Sequence, residues 1–145
     1  MPIHPTAIID GSSQISLEAH IGPYCIIGPQ TQIGAGTRLE SHVSVQGWTS
    51  IGERCRFSGH SSVGTDPQDL KYRGEPTYLK IGDDNVFREF VTVNRGTAGG
   101  RGVTTIGSGN FFMAYSHVAH DCLVGDCIIM ANAATLAGHV TVGDH

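Results

Sequence analysis

Aliphatic or Phe residues recur at every sixth position along most of the chain. The first run is Ile3, Ile9, Ile15, Ile21, Ile27, Ile33, Leu39, Val45, Ile51, Phe57 and Val63. The beat resumes at Ile81, Phe87 and Val93, then again, shifted in phase, from Ile106 through Phe112, Val118, Val124, Met130, Leu136 and Val142. Such a period fits neither a helix nor the simple alternation of a strand, so the chain reads as a repeat array. The residue four places after each anchor is small or apolar, as at Ala7, Ser13, Ala19, Cys25, Thr31 and Thr37. Each unit thus offers one large and one small group to an interior. The residue directly after the anchor is often Gly, as at Gly22, Gly28, Gly34 and Gly52, and is expected to supply a left-handed corner. A short strand plus a tight corner, repeated, predicts an all-β fold: a parallel β-helix of hexapeptide repeats. Three units close one triangular coil, and coils stack at the strand spacing of ~4.8 Å. Counting anchors predicts 21 units, or seven coils. Residues 1–145 form one β-helix domain, with two excursions at about 65–80 and 94–105.

Composition suits this picture. Twenty glycines and 7 % aromatics would serve a compact core poorly, but they suit a thin interior filled by one anchor per unit. A net charge of −4 offers no electrostatic case for nucleic acid or an anionic membrane. No segment reaches the ~20 apolar residues of a membrane span. The opening Met1-Pro2-Ile3-His4-Pro5 is not a signal peptide, so a cytoplasmic location is expected. Cys25, Cys55 and Cys122 fall on the small inward position and Cys127 lies one residue off it, which predicts reduced, structural cysteines. The last unit stops at His145 with no polar cap, so the chain reads as the front section of a longer solenoid.

Candidate chemistry collects late in the chain. His117 and His120 flank the anchor Val118, and His139 follows His120 by one coil plus one residue. Stacking would bring His120 and His139 to ~5–10 Å on neighbouring coils. Asp121 directly follows His120, and a His held by a carboxylate is the usual general base near neutral pH. Two other readings stay open: solvent-exposed decoration, and a zinc site built from three imidazoles. The His-x4-His spacing of β-helical carbonic anhydrases is absent. The first excursion is dense in polar groups and suits binding. The second, Arg95 to Gly102, is glycine-rich, lacks the ending of a phosphate loop, and reads as a flexible connection.

Several motifs occur in order: Pro67-Gln68-Asp69-Leu70-Lys71-Tyr72, Gly74-Glu75-Pro76-Thr77, Arg95-Gly96-Thr97, His117-Val118-Ala119-His120-Asp121-Cys122 and Ala133 through Ala137-Gly138-His139. Together they resemble the acyl-[acyl-carrier-protein]–UDP-N-acetylglucosamine O-acyltransferases, hexapeptide-repeat transferases that begin lipid A biosynthesis. The hexapeptide part is shared by many transferases, whereas the first and fourth motifs together are specific. The resemblance implies a left-handed helix, a hand opposite to the one that parallel crossovers otherwise favour. It also implies a cytosolic homotrimer that moves an (R)-3-hydroxyacyl group from acyl carrier protein to the 3-hydroxyl of UDP-N-acetylglucosamine, without metal or cofactor.

By the same resemblance His120 matches the catalytic base and Asp121 its supporting partner. The N–H of Gly138 matches an oxyanion donor. His117, His139, Asp69 and Lys71 match substrate contacts, and Gln68 a nucleotide contact. The family's later coils and C-terminal helical domain have no counterpart here, so the chain alone is expected to be weak or inactive. Two alternatives remain beside the zinc-dependent one. The related N-acyltransferase of the same pathway carries an N-terminal uridine-binding domain, for which there is no room before Ile3. The other is a non-catalytic oligomerising scaffold.

Overall fold

The computed structural model describes residues 2–145. Its twenty strands are all parallel and form the three faces of a prism. Face one carries Ile8–Ile9, Ile26–Ile27, Ser44–Val45, Ser62–Thr65, Thr92–Asn94, His117–Val118 and Thr135–Leu136. Face two carries Gln14–Ile15, Gln32–Ile33, Thr49–Ile51, Tyr78–Ile81, Val103–Ile106, Leu123–Val124 and Thr141–Val142. Face three carries His20–Ile21, Arg38–Leu39, Arg56–Phe57, Val86–Phe87, Phe111–Phe112 and Ile129–Met130, and the parallel bridge of Ile3 to Ile21 adds its first rung. The fold is thus a parallel β-helix of seven coils, as the hexapeptide beat predicts, and left-handed, as the resemblance implies. Among the described residues no helix is long and apolar enough to cross a membrane.

Anchors pair with anchors one coil away, so like stacks on like. Phe57, Phe87 and Phe112 are wholly buried, with ring centroids 4.6 and 4.8 Å apart and planes within 10° of parallel. The spacing is that of the strands themselves. The small inward position is more specific than its size suggests, because there a donor reaches the carbonyl that follows the anchor one coil on. Thr37 Oγ1 donates to the Gly52 carbonyl at 2.8 Å, Asn85 Nδ2 to that of Gly107 at 2.8 Å, and Asn110 Nδ2 to that of Gly125 at 3.0 Å. The thiols of Cys55 and Cys122 do the same at 3.1 Å. Burial pushes both thiols up, away from the thiolate, which fits inert structural cysteines. Cys127 is exposed, and none of the four is paired.

Two expectations need correction. The left-handed corner does not fall on the glycine after the anchor. It falls three residues after the anchor, at Tyr24, His42, Trp48, Arg54, His60, Phe90, Tyr115, Asp121 and His139 among others, with φ between 45° and 65°. The glycine is needed for a different reason. A Cβ at Gly22 would meet the Leu39 carbonyl oxygen at 2.8 Å, and one at Gly34 that of Gly52 at 2.5 Å, so only glycine lets adjacent coils close. Second, both excursions are shorter than expected. They span 66–77 and 95–102, because Tyr78–Ile81 pairs with Val103–Ile106 over four residues. Both leave the prism at the corner between faces one and two, in successive coils.

Candidate functional site

The corner between faces one and two gathers Trp48, the two excursions, Asp121 and His139 into one column. In a regular corner the left-handed residue donates its N–H to a carbonyl of the preceding coil, as His139 does to His120 at 3.0 Å. Asp121 cannot, because the corner beneath it has become the second excursion. Its N–H donates instead to Thr104 Oγ1 at 2.9 Å.

The Asp121 carboxylate is wholly buried, and its neighbours determine the chemistry. Its Oδ1 accepts the N–H groups of Thr97 and Arg101, both at 2.9 Å. Its Oδ2 accepts the Thr97 hydroxyl at 2.5 Å and lies 2.8 Å from His120 Nδ1. Burial by itself would raise the Asp121 carboxyl, but the bonds from Thr97 and His120 outweigh it and hold the group below the usual carboxylate range. An ionised carboxylate is acceptor only, so His120 Nδ1 carries the proton and donates. The lone pair of His120 then sits on Nε2, the atom a general base uses. The His120 side chain is 13 % exposed, so it is held firmly with only a small opening to solvent.

Gly138 lies against the edge of that ring. A Cβ there would meet His120 Cε1 at 2.5 Å and Nε2 at 2.6 Å, so glycine is what leaves the imidazole its position. The Gly138 N–H finds no acceptor among the described residues. His139 stands edge-on to His120 with centroids 5.0 Å apart, at the short end of the expected range. Its Nε2 is 3.9 Å from Asp121 Oδ2, too far for a hydrogen bond.

Of the predicted binding residues, Asp69 and Lys71 line a hollow of about 340 Å³ together with Thr97 and His139. Asp69 also shapes its own loop by accepting the Lys71 N–H at 2.9 Å. Gln68 opens on a different hollow, of about 550 Å³, shared with Trp48, Thr92 and Arg95. His117 belongs to that side: its Nδ1 lies 2.6 Å from Thr92 Oγ1 on face one. Burial holds His117 below the ordinary imidazole value. The structure therefore brings His120, Asp121, Gly138 and His139 together, with Asp69 and Lys71 across a hollow, while Gln68 borders a second one and His117 contacts Thr92 of its lining.

The second excursion is not the flexible connection its glycines suggest. Thr97 and Arg101 hold it to Asp121, and the N–H groups of Gly100 and Gly102 close on the Thr97 carbonyl at 3.1 and 2.9 Å. Arg95 and Thr97 stand in a motif of the resemblance, but the sequence assigned neither of them a role in the site. One signal was available for Thr97, which stands four after the anchor Val93 and so occupies an inward donor position.

His120, Asp121 and His139 also place one ligand atom each within 4.8 Å of one another. A cation there would compete for a carboxylate whose two oxygens already make four hydrogen-bond contacts. The donor set fits proton transfer better than metal binding.

No protein-family model matches the chain. Individual relatives do. The acyl-[acyl-carrier-protein]–UDP-N-acetylglucosamine O-acyltransferase of Thermodesulfovibrio yellowstonii is 54 % identical over 142 residues, covering 98 % of this chain and 55 % of the relative. That of Stenotrophomonas maltophilia is 55 % identical over 143 residues, covering 99 % and 54 %. The solved structure of LpxA from Acinetobacter baumannii superposes with a TM-score of 0.99 at 53 % identity, covering all of this chain and 56 % of that one. The chain spans about half the length of the curated relatives it matches. Over nearly its whole length the chain is thus similar to about the first half of these UDP-N-acetylglucosamine O-acyltransferases, in sequence and in fold.

Proposed function

We propose that this chain carries the acyl-transfer centre of an enzyme that moves an (R)-3-hydroxyacyl group from acyl carrier protein to the 3-hydroxyl of UDP-N-acetylglucosamine, the first step of lipid A biosynthesis. One observation carries the chemistry: three donors converge on Asp121 and keep it an acceptor, so a neutral His120 holds its proton on Nδ1 and offers the Nε2 lone pair. That nitrogen removes the hydroxyl proton as the sugar oxygen attacks the thioester carbonyl. The imidazolium formed is stabilised by the adjacent carboxylate. Negative charge develops on the thioester oxygen, where the open Gly138 N–H is a donor worth roughly 3 kcal/mol. Collapse breaks the C–S bond, the thiolate takes the proton back from His120, and the ester and free carrier thiol leave. Asp69, Lys71 and His139 hold the sugar in the hollow they line, Gln68 contacts the nucleotide from the neighbouring hollow, and His117 makes a further substrate contact. The reaction needs no metal or redox cofactor. The working form is a cytoplasmic homotrimer with the site facing an adjacent prism.

The test is acyl transfer to UDP-N-acetylglucosamine, followed as release of the carrier thiol. The chain alone is expected to turn over slowly, and His120→Ala is expected to lower that rate by a further ~10²–10⁴-fold. Equal rates for the two proteins would overturn the general-base assignment.

A further inference from the structure

We propose that Arg95-Gly96-Thr97 is a positioning element that locks the first excursion and the His120–Asp121 pair into one unit. The inference deepens the reading of His120 as the base and rests on it. Each residue of the segment has its own partner. The Arg95 side chain is only 7 % exposed, yet it reaches out to the excursion at 66–77. Its Nη1 donates to the Gly64 carbonyl at 2.6 Å, and its Nη2 to Asp66 Oδ1 at 2.6 Å and to the Tyr72 hydroxyl at 3.1 Å. Tyr72 donates onward to the Glu75 carbonyl at 2.8 Å, and its N–H closes on the Asp69 carbonyl at 2.9 Å. The guanidinium also lies 5.9 Å from the centre of the Trp48 ring. The loop that displays Asp69 and Lys71 is therefore held by one cation whose rigid, planar fork spreads its donors over three acceptors, a geometry the single nitrogen of a lysine does not reproduce.

Two residues later, Thr97 faces the other partner. Its hydroxyl takes one lone pair of Asp121 Oδ2, and the remaining direction on that oxygen points to His120 Nδ1. Its N–H, with that of Arg101, takes the other oxygen. Between them Gly96 is pressed on the return strand: a Cβ there would meet the Gly102 carbonyl carbon at 2.5 Å and Val103 Cα at 2.8 Å. The Gly96 N–H donates to the Tyr78 carbonyl at 3.1 Å, which fixes the segment to face two. Thr97 touches no reacting atom in this scheme. It acts through Asp121, as a positioning residue for the His120 tautomer, and Arg95 acts through loop 66–77.

The experiment is ¹⁵N NMR of the His120 ring nitrogens in this chain at about pH 8, where a neutral imidazole reports its tautomer. The native protein is expected to show the Nδ1–H form. Thr97→Val keeps the side-chain shape and the backbone N–H while removing the hydroxyl, and is expected to move His120 toward the Nε2–H form. Thr97→Ser is expected to restore the native signals. Native His120 shifts in folded Thr97→Val would overturn the role of Thr97; should that variant fail to fold, Thr97→Ala is read the same way. For the other arm, Arg95→Lys is expected to speed hydrogen exchange of the Tyr72 amide at least ~10-fold, since local opening governs exchange; unchanged exchange would overturn the latch. None of these readouts depends on turnover. Full acyl transfer by His120→Ala would thus remove the catalytic reading while leaving the tautomer result to stand by itself.

Discussion

Two corners of the same prism show what regularity and interruption each do. Between faces three and one, the ring-bearing left-handed residues are Tyr24, His42, His60, Phe90 and Tyr115, with Ala133 after them. Their rings form one exposed column, with neighbouring centroids 4.9 to 5.1 Å apart and planes within 26° of parallel. Rungs here close on backbone where the His42 N–H donates to the Pro23 carbonyl at 3.0 Å and that of Tyr115 to the Glu89 carbonyl at 3.1 Å, while the Tyr24 N–H donates to Thr6 Oγ1 at 2.9 Å. Between faces one and two the backbone turns in the same way at Trp48, Asp121 and His139. There the column is broken twice by excursions, and side chains must replace the missing rungs. Thr104, Thr97 and Arg101 converge on Asp121 for that reason. A corner that repeats can stack identical groups and do nothing else. A corner that is interrupted must bury polar groups against one another, and a buried, fully bonded carboxylate is what orients a base.

The largest expected effect breaks the interrupted corner at its centre. Asp121→Asn places an amide among three donors that need an acceptor, so one N–H is left facing another. We expect a loss of about 3 kcal/mol in denaturant unfolding, together with acyl transfer. The native contribution of this carboxylate is present above about pH 4 and is lost as pH falls below its depressed folded-state value, whereas the Asn variant should lack that acid limb. Gly138→Ala tests position without charge. The added methyl meets a ring and not backbone, so the fold is expected to survive while His120 is pushed aside, lowering turnover by ~10²-fold. Native turnover in this variant would refute the close placement of Gly138 and the base.

The aromatic corner should respond in the opposite sense. His60→Ala removes two stacking contacts, and we expect about 1 kcal/mol less stability with acyl transfer unchanged. A drop in activity would mean the two corners are coupled. The smallest effect belongs to His117. Its folded-state value lies below the ordinary 6.5, so its contribution is complete above about pH 6.5 and shrinks as pH falls toward the lower folded value. Unfolding midpoints at pH 7.5 and 5.5 should therefore differ less in His117→Gln than in the native chain.

Much of this architecture is written in the order of residues. Anchor spacing alone predicts the rungs, the seven coils, the inward cysteines and the approach of His120 to His139. These are local consequences of one hydrophobic group per unit, and stacking merely repeats them. The left-handed corner is a different matter. Gly36, Trp48, Phe90 and Asp121 all occupy it, so no residue type marks the position, and the glycine that does stand out serves close approach of coils. The second excursion misled for a related reason. Its glycines signal freedom when read singly, but Thr97 and Arg101 bind it to a carboxylate twenty and more residues away in the chain.

The hexapeptide beat by itself therefore determined that the chain folds as a stack of triangular coils, and which side chains fill it, because periodicity is a one-dimensional property. Only the tertiary structure decided that a neutral His120 keeps its proton on Nδ1, facing Asp121, and its lone pair on Nε2. That outcome depends on the count and direction of donors around Asp121, and those come from the excursion at 95–102 and from His120, which meet only when the coils close on one another.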